Sequence, residues 1–175
     1  MKTSSITRGF ALSALAAAAL VAPAQPAVAD GSFFLPLGQG CADFALEWSW
    51  TGGNLHTKEF TDAQGNVVRL ITAGKGTVNT YTNYGSDPEP IVPGKSISIR
   101  TDGSVTKTVI NPDGTQTVTA TGHNGLIMFP SDVPAGPTTI QYVGKIVYNI
   151  DPATGVFTLV STTGQALDVC AELAS

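Results

Sequence analysis

The chain has 175 residues, nine Lys or Arg against 13 Asp or Glu, and a formal net charge of −4, so it lacks the cationic excess that binding to a phosphate backbone requires. Lys58, Arg69, Lys75, Arg100, Lys107 and Lys145 are scattered singly among acids, which argues against a basic face for nucleic acid or for an anionic membrane surface. The length leaves room for one domain with a real core.

Met1 to Ala29 reads as a secretory signal. Lys2 and Arg8 flank the start, an apolar run follows from Gly9 to Val21, and Pro23 and Pro26 lead to the small-residue site Ala27-Val28-Ala29. A spanning helix needs ~20 apolar residues, more than this run supplies, which favours cleavage over a retained anchor. Cleavage after Ala29 leaves 30–175 as a single all-β domain, more acidic because Lys2 and Arg8 are lost and no acid precedes Asp30. No membrane association is expected after that step. An exported chain meets an oxidising compartment, where Cys41 and Cys170 default to a disulfide, with two free thiols as the alternative. In the chain-entropy account a loop of that length contributes ~5 kcal/mol.

From there on, two-residue alternation replaces any sustained helical period. In Phe44-Ala45-Leu46-Glu47-Trp48-Ser49-Trp50 the large apolar side chains fall on even positions and form one core face. Further strands are predicted at 55–61, 67–72, 77–83, 96–101, 105–110, 115–121, 126–129, 139–150, 156–162 and 166–170, all rich in Thr, Val, Ile and aromatics. Asp62-Ala-Gln-Gly-Asn66, Thr101-Asp-Gly-Ser104, Asn111-Pro-Asp-Gly114 and Asp151-Pro-Ala-Thr-Gly155 are the turns between them. Two proline-rich segments, 84–94 and 130–137, cannot be central strands and read as surface loops. With no helix predicted, sequential antiparallel pairing is the economical topology. Gly144 inside the longest strand marks a place where a sheet curls, and the two cysteines tie the first strand to the last. Together they favour an antiparallel meander closing into a barrel, with a two-sheet β-sandwich as the alternative.

The chemistry-bearing residues are few. His56 lies in an exposed-looking strand beside Lys58 and Glu59, with no ligand spacing around it. His123 sits in Thr121-Gly-His-Asn-Gly125, a glycine-flanked turn that could display a functional side chain, and is the candidate catalytic residue; a solvated turn is the competing reading. Asp102, Asp113 and Asp151 belong to hairpin turns, not to a twelve-residue calcium loop. Paired cysteines leave too few ligands for zinc. Pro93-Gly-Lys-Ser96 resembles the tail of a phosphate loop, but Glu89 stands where the first glycine belongs and a strand follows. The acid pairs Glu47 with Asp43 and Asp87 with Glu89 have no spacing that implies acid–base work. No cofactor and no metal site is expected.

Asp62-Ala-Gln-Gly-Asn-Val-Val-Arg69 with Ala73-Gly-Lys-Gly76, the stretch from Asn111 to Pro130, and Val147 to Leu159 together resemble a group of small secreted all-β proteins from actinobacteria. The likeness spans most of residues 30–175. It implies export and the disulfide, and it carries over no catalytic residue. The expected function is that of a secreted, non-catalytic binding or interaction protein acting on an extracellular ligand or protein. The rivals are a β-barrel enzyme of isomerase or cyclase type using His123, and an inhibitor of secreted hydrolases acting through a proline-braced loop.

Overall fold

The computed structural model describes residues 30–86 and 92–175. The predicted signal and the acids Asp87 and Glu89 lie outside the described residues. Among the described residues, ten strands form two antiparallel sheets. One has four strands in the order β1 (Gly31–Leu35), β2 (Leu46–Thr51), β5 (Val78–Asn83) and β6 (Ser96–Arg100). The other has six, in the order β10 (Phe157–Asp168), β9 (Thr138–Ile150), β8 (Gln116–Met128), β7 (Val105–Ile110), β4 (Val67–Lys75) and β3 (Asn54–Thr61).

This is the two-sheet arrangement; the barrel favoured from the sequence does not close. The β3–β4 hairpin is inserted between β2 and β5, and β5–β6 between β4 and β7. The chain therefore switches sheets at Gly52-Gly53, at Gly76 and again over 101–104, and a plain sequential meander is not what results. Glycine is needed at the second switch because a Cβ on Gly76 would meet the Thr101 backbone. There the two crossing segments are stitched together: Thr101 N–H donates to the Thr77 carbonyl (2.9 Å), and Thr77 N–H to Thr101 Oγ1 (2.8 Å).

Alternation sorts the small sheet into two faces. Register puts Phe33, Trp48, Tyr81 and Ile97 in one inward row and Gly31, Trp50, Asn79 and Ile99 in the next. The outward rows are hydroxyl ladders, with Thr80 bonded to Ser98 (2.8 Å) and Ser96 to Thr82 (2.9 Å). The inner face packs against β8, β9 and a short helix, α1 (Val169–Ala174). Cys41, Phe44, Leu46, Tyr81, Val169 and Leu173 make this core. Residue 170 was expected to end a strand and instead lies in α1, because Asp168 caps the helix through Ala171 N–H (3.0 Å).

A second apolar core lies on the even-numbered face of the long hairpins: Ala120, Leu126, Met128, Tyr142 and Ile146, with Tyr148 stacked on Phe157. Residues on both sides of Gly122 and Gly144 contribute to it, so the large sheet curls over its own face. Register aligns Gly122, Gly144 and Gly164 across β8, β9 and β10, all with positive φ. A Cβ on Gly144 would meet the Thr163 carbonyl, and one on Gly164 the Val143 carbonyl. Only glycine lets the curled strands come this close.

Loop 130–137 is a surface loop, as expected, but it is pinned. The Asp132 carboxylate, 4 % exposed, accepts from Phe129 N–H (2.6 Å) and Phe157 N–H (2.8 Å), and Val133 bridges to Thr158. Cys41 and Cys170 form the disulfide, Cα atoms 5.5 Å apart across 129 residues of sequence. It fastens α1 beside the start of β2.

Candidate functional site

The inward side of the segment from Phe44 through β2 is graded along its length. Phe44 and Leu46 are core residues, whereas Trp48 and Trp50 are half-buried and form one wall of a cleft of about 290 Å³. Trp50 lies flat enough to need Gly31 opposite it, where a Cβ would come within 2.6 Å of the indole ring. Phe33 braces both indoles, with centroids 5.4 Å from Trp48 and 6.0 Å from Trp50. The facing wall comes from the large sheet: Leu55 on β3, Thr106 on β7, and His123 to Gly125 on β8. Gly125 is glycine because a Cβ would press on the Tyr81 hydroxyl and on Trp48.

The floor is a chain of neutral hydrogen bonds. Thr77 Oγ1 donates to Asn79 Oδ1 (2.9 Å), the Asn79 side chain lies beside the Tyr81 hydroxyl, and that hydroxyl donates to Gln141 Oε1 (2.9 Å). Burial pushes the Tyr81 phenol well above its ordinary value, opposed by the Asn79 side chain, so the hydroxyl stays a protonated donor. The Gln141 Nε2 and Trp48 Nε1 donors are buried without a partner.

His123 was expected on a free turn, and is instead in the middle of β8, facing this cleft. Its Nδ1 lies 2.9 Å from the Asp102 main-chain carbonyl. A carbonyl only accepts, so Nδ1 carries the proton, and Nε2 has no hydrogen bond among the described residues. The Asp102 carboxylate is held by Arg100 (2.6 Å), which keeps it below the usual carboxylate range. Ser104 spends its hydroxyl proton on Asn124 and not on the histidine. Among the described residues no carboxylate and no hydroxyl is hydrogen-bonded to this imidazole, which is not the arrangement of a nucleophile and its base.

The other sequence candidates do not come together. His56 is exposed on β3. Asp62, Asp113 and Asp151 accept hydrogen bonds inside their own turns, and all three are lowered by those bonds: Asp62 first by Asn66, Asp113 by Thr115, Asp151 by Ala153. Glu47 accepts from the Tyr84 hydroxyl (2.9 Å). Lys95, in the phosphate-loop look-alike, ties down α1 through the Glu172 carbonyl (2.6 Å). Sequence reasoning placed Trp48 and Trp50 in the core and did not find Asn79, Thr106 or Asn124; the aromatic pair at the end of an alternating strand was the only available signal.

The chain matches no protein-family model, no curated protein and no solved structure. The functional reading therefore rests on the cleft itself.

Proposed function

We propose that this is an exported, non-catalytic binding protein that takes a small ligand in the cleft between its sheets. The observation that carries this is the lining: aromatic walls with convergent amides and hydroxyls, and a histidine whose Nδ1 proton goes to a main-chain carbonyl. Small-molecule sites have this mixture of apolar walls and a few placed polar groups, and at ~300 Å³ the cleft is at the small end of their range. Export is supported by the Met1–Ala29 pattern and by the disulfide, which persists in oxidising compartments. No helix among the described residues is long and apolar enough to cross a membrane.

Native mass spectrometry of protein recovered from culture supernatant tests both halves. The expected spectrum shows a chain beginning at Asp30, with the cysteines oxidised and a small molecule retained non-covalently. A species that still carries Met1 to Ala29 overturns export with cleavage. Turnover of the bound molecule that falls ~10²–10⁴-fold in His123→Ala, at unchanged stability, overturns the non-catalytic reading in favour of proton transfer by His123.

A further inference from the structure

Among the described residues that line the cleft there is no Asp, Glu, Lys or Arg. The nearest ion pair, Arg100 with Asp102, is closed on itself at 2.6 Å. An anionic or cationic ligand would lose hydration there and find, among the described lining residues, only the His123 imidazole to offset its charge, an unfavourable exchange. A purely apolar ligand fares little better. It would cover His123 Nε2 and Thr106 Oγ1 without replacing their hydrogen bonds to water, at ~1–3 kcal/mol for each group left unpaired.

The remaining class is a neutral molecule with an apolar face and a hydroxyl-bearing rim. From this the geometry points to a saccharide ring as the ligand: its C–H face against the indole of Trp50, and its hydroxyls toward Thr106, Asn124 and His123 on the facing wall. The assignment rests on the binding-protein reading above and narrows it. An indole face carries the negative part of the ring quadrupole, which complements the slightly positive C–H bonds of a pyranose. The opposing hydroxyl, amide and imidazole groups can donate and accept, as sugar hydroxyls do. The cleft is open at its mouth, so the ring recognised can belong to a longer chain that continues into solvent.

The chain contains two tryptophans, and both line the cleft. Intrinsic indole emission therefore reports on this site alone. The test is a titration of the disulfide-intact protein, residues 30–175, with cellotetraose, chitotriose in its N-acetylated form, maltotriose and mannotriose. Trigalacturonic acid serves as the anionic probe and anilinonaphthalene sulfonate as the apolar one. The expected result is a saturable emission shift with at least one neutral oligosaccharide. By calorimetry, Trp50→Ala should weaken that binding more than ~10-fold and Thr106→Val about 5-fold, the loss of one hydrogen bond. Thr106→Val keeps the test valid should Trp50→Ala fold poorly.

Absence of any saturable response to the four neutral sugars up to about 10 mM overturns the saccharide assignment. Saturable binding of only the anionic or only the apolar probe, lost in Trp50→Ala, also overturns it, and leaves the cleft standing as a binding site. Sugar binding unaffected by both substitutions places the ligand elsewhere and overturns the assignment to this cleft.

Discussion

At Tyr81 the sheets meet through hydroxyls and amides, in a chain from Thr77 to Gln141 that ends on an unpartnered donor. Around Ile146 the large sheet closes on itself through Ala120, Leu126, Met128 and Ile146, with Tyr142 and Tyr148 packed among them. The two regions are buried to a similar depth, yet one adjoins a cleft and is clamped by a disulfide, whereas the other has neither beside it. Apolar packing is non-directional and tolerates small rearrangement. A polar chain is favourable only while every link is satisfied. The difference teaches that the small sheet is the conditional part of the fold, held in position from outside by the Cys41–Cys170 bridge.

The largest expected effect is therefore removal of that bridge. Cys41→Ala with Cys170→Ala should lower stability by ~5 kcal/mol, read as a shift of the denaturant midpoint. Hydrogen exchange should then show protection lost first in β1, β2, β5 and β6. Uniform loss across both sheets would break the comparison. Next comes Ile146→Ala, which opens a cavity in the second core and should cost ~3 kcal/mol, with the cleft and its tryptophan emission little changed until global unfolding.

Tyr81→Phe should cost ~1–2 kcal/mol, because Gln141 Oε1 loses its donor in a buried setting. Adding Gln141→Leu should cost less than the sum of the single changes, since the second substitution removes the group the first left unsatisfied. Strict additivity in that double-mutant cycle would show that the chain is not acting as a unit. The smallest effect is electrostatic. Asp62, Asp113 and Asp151 have folded-state values lowered by turn hydrogen bonds. They contribute stability that is present above the ordinary carboxylate value of ~3.9 and is lost as pH falls through the lower folded-state values. Unfolding midpoints at pH 7 and pH 3 should differ slightly less in Asp113→Asn than in the unaltered chain; these turns are exposed and far from the cleft, so ligand binding should not follow the same curve.

Much of the strand pattern was legible because alternation is a local property. β2 to β7 fall close to where Thr, Val, Ile and aromatics alternate between turn residues, and the outer hydroxyl ladders follow from the same reading. The glycines misled. Thr121-Gly-His-Asn-Gly125 reads as a turn, but β9 supplies partners along its whole length, so β8 runs unbroken from Gln116 to Met128. The interval 163–165 behaves the same way in β10. β1 was missed because Phe33-Phe34 shows no alternation beside the proline at 36. α1 was missed because six residues are too few for a helical period to register. The cleft was illegible for a different reason: Trp50 and Asn79 become neighbours only because a whole hairpin, β3–β4, is looped out between β2 and β5. That is a fact of topology, and no window of sequence contains it.

The Cys41–Cys170 bridge also determines how the protein responds to force. All strands from β2 to β10 lie inside the covalent loop. Tension applied between Asp30 and Ser175 loads the β1–β2 ladder first, and once β1 is drawn off it passes through the two sulfur atoms and out through the last turn of α1, without loading the other ladders of either sheet. Only the segments outside the bridge, 30–40 and 171–175, can lengthen, at ~3.3–3.6 Å for each residue drawn out straight. Oxidised, the sandwich is a nearly inextensible link; reduced, it becomes a tether more than a hundred residues long.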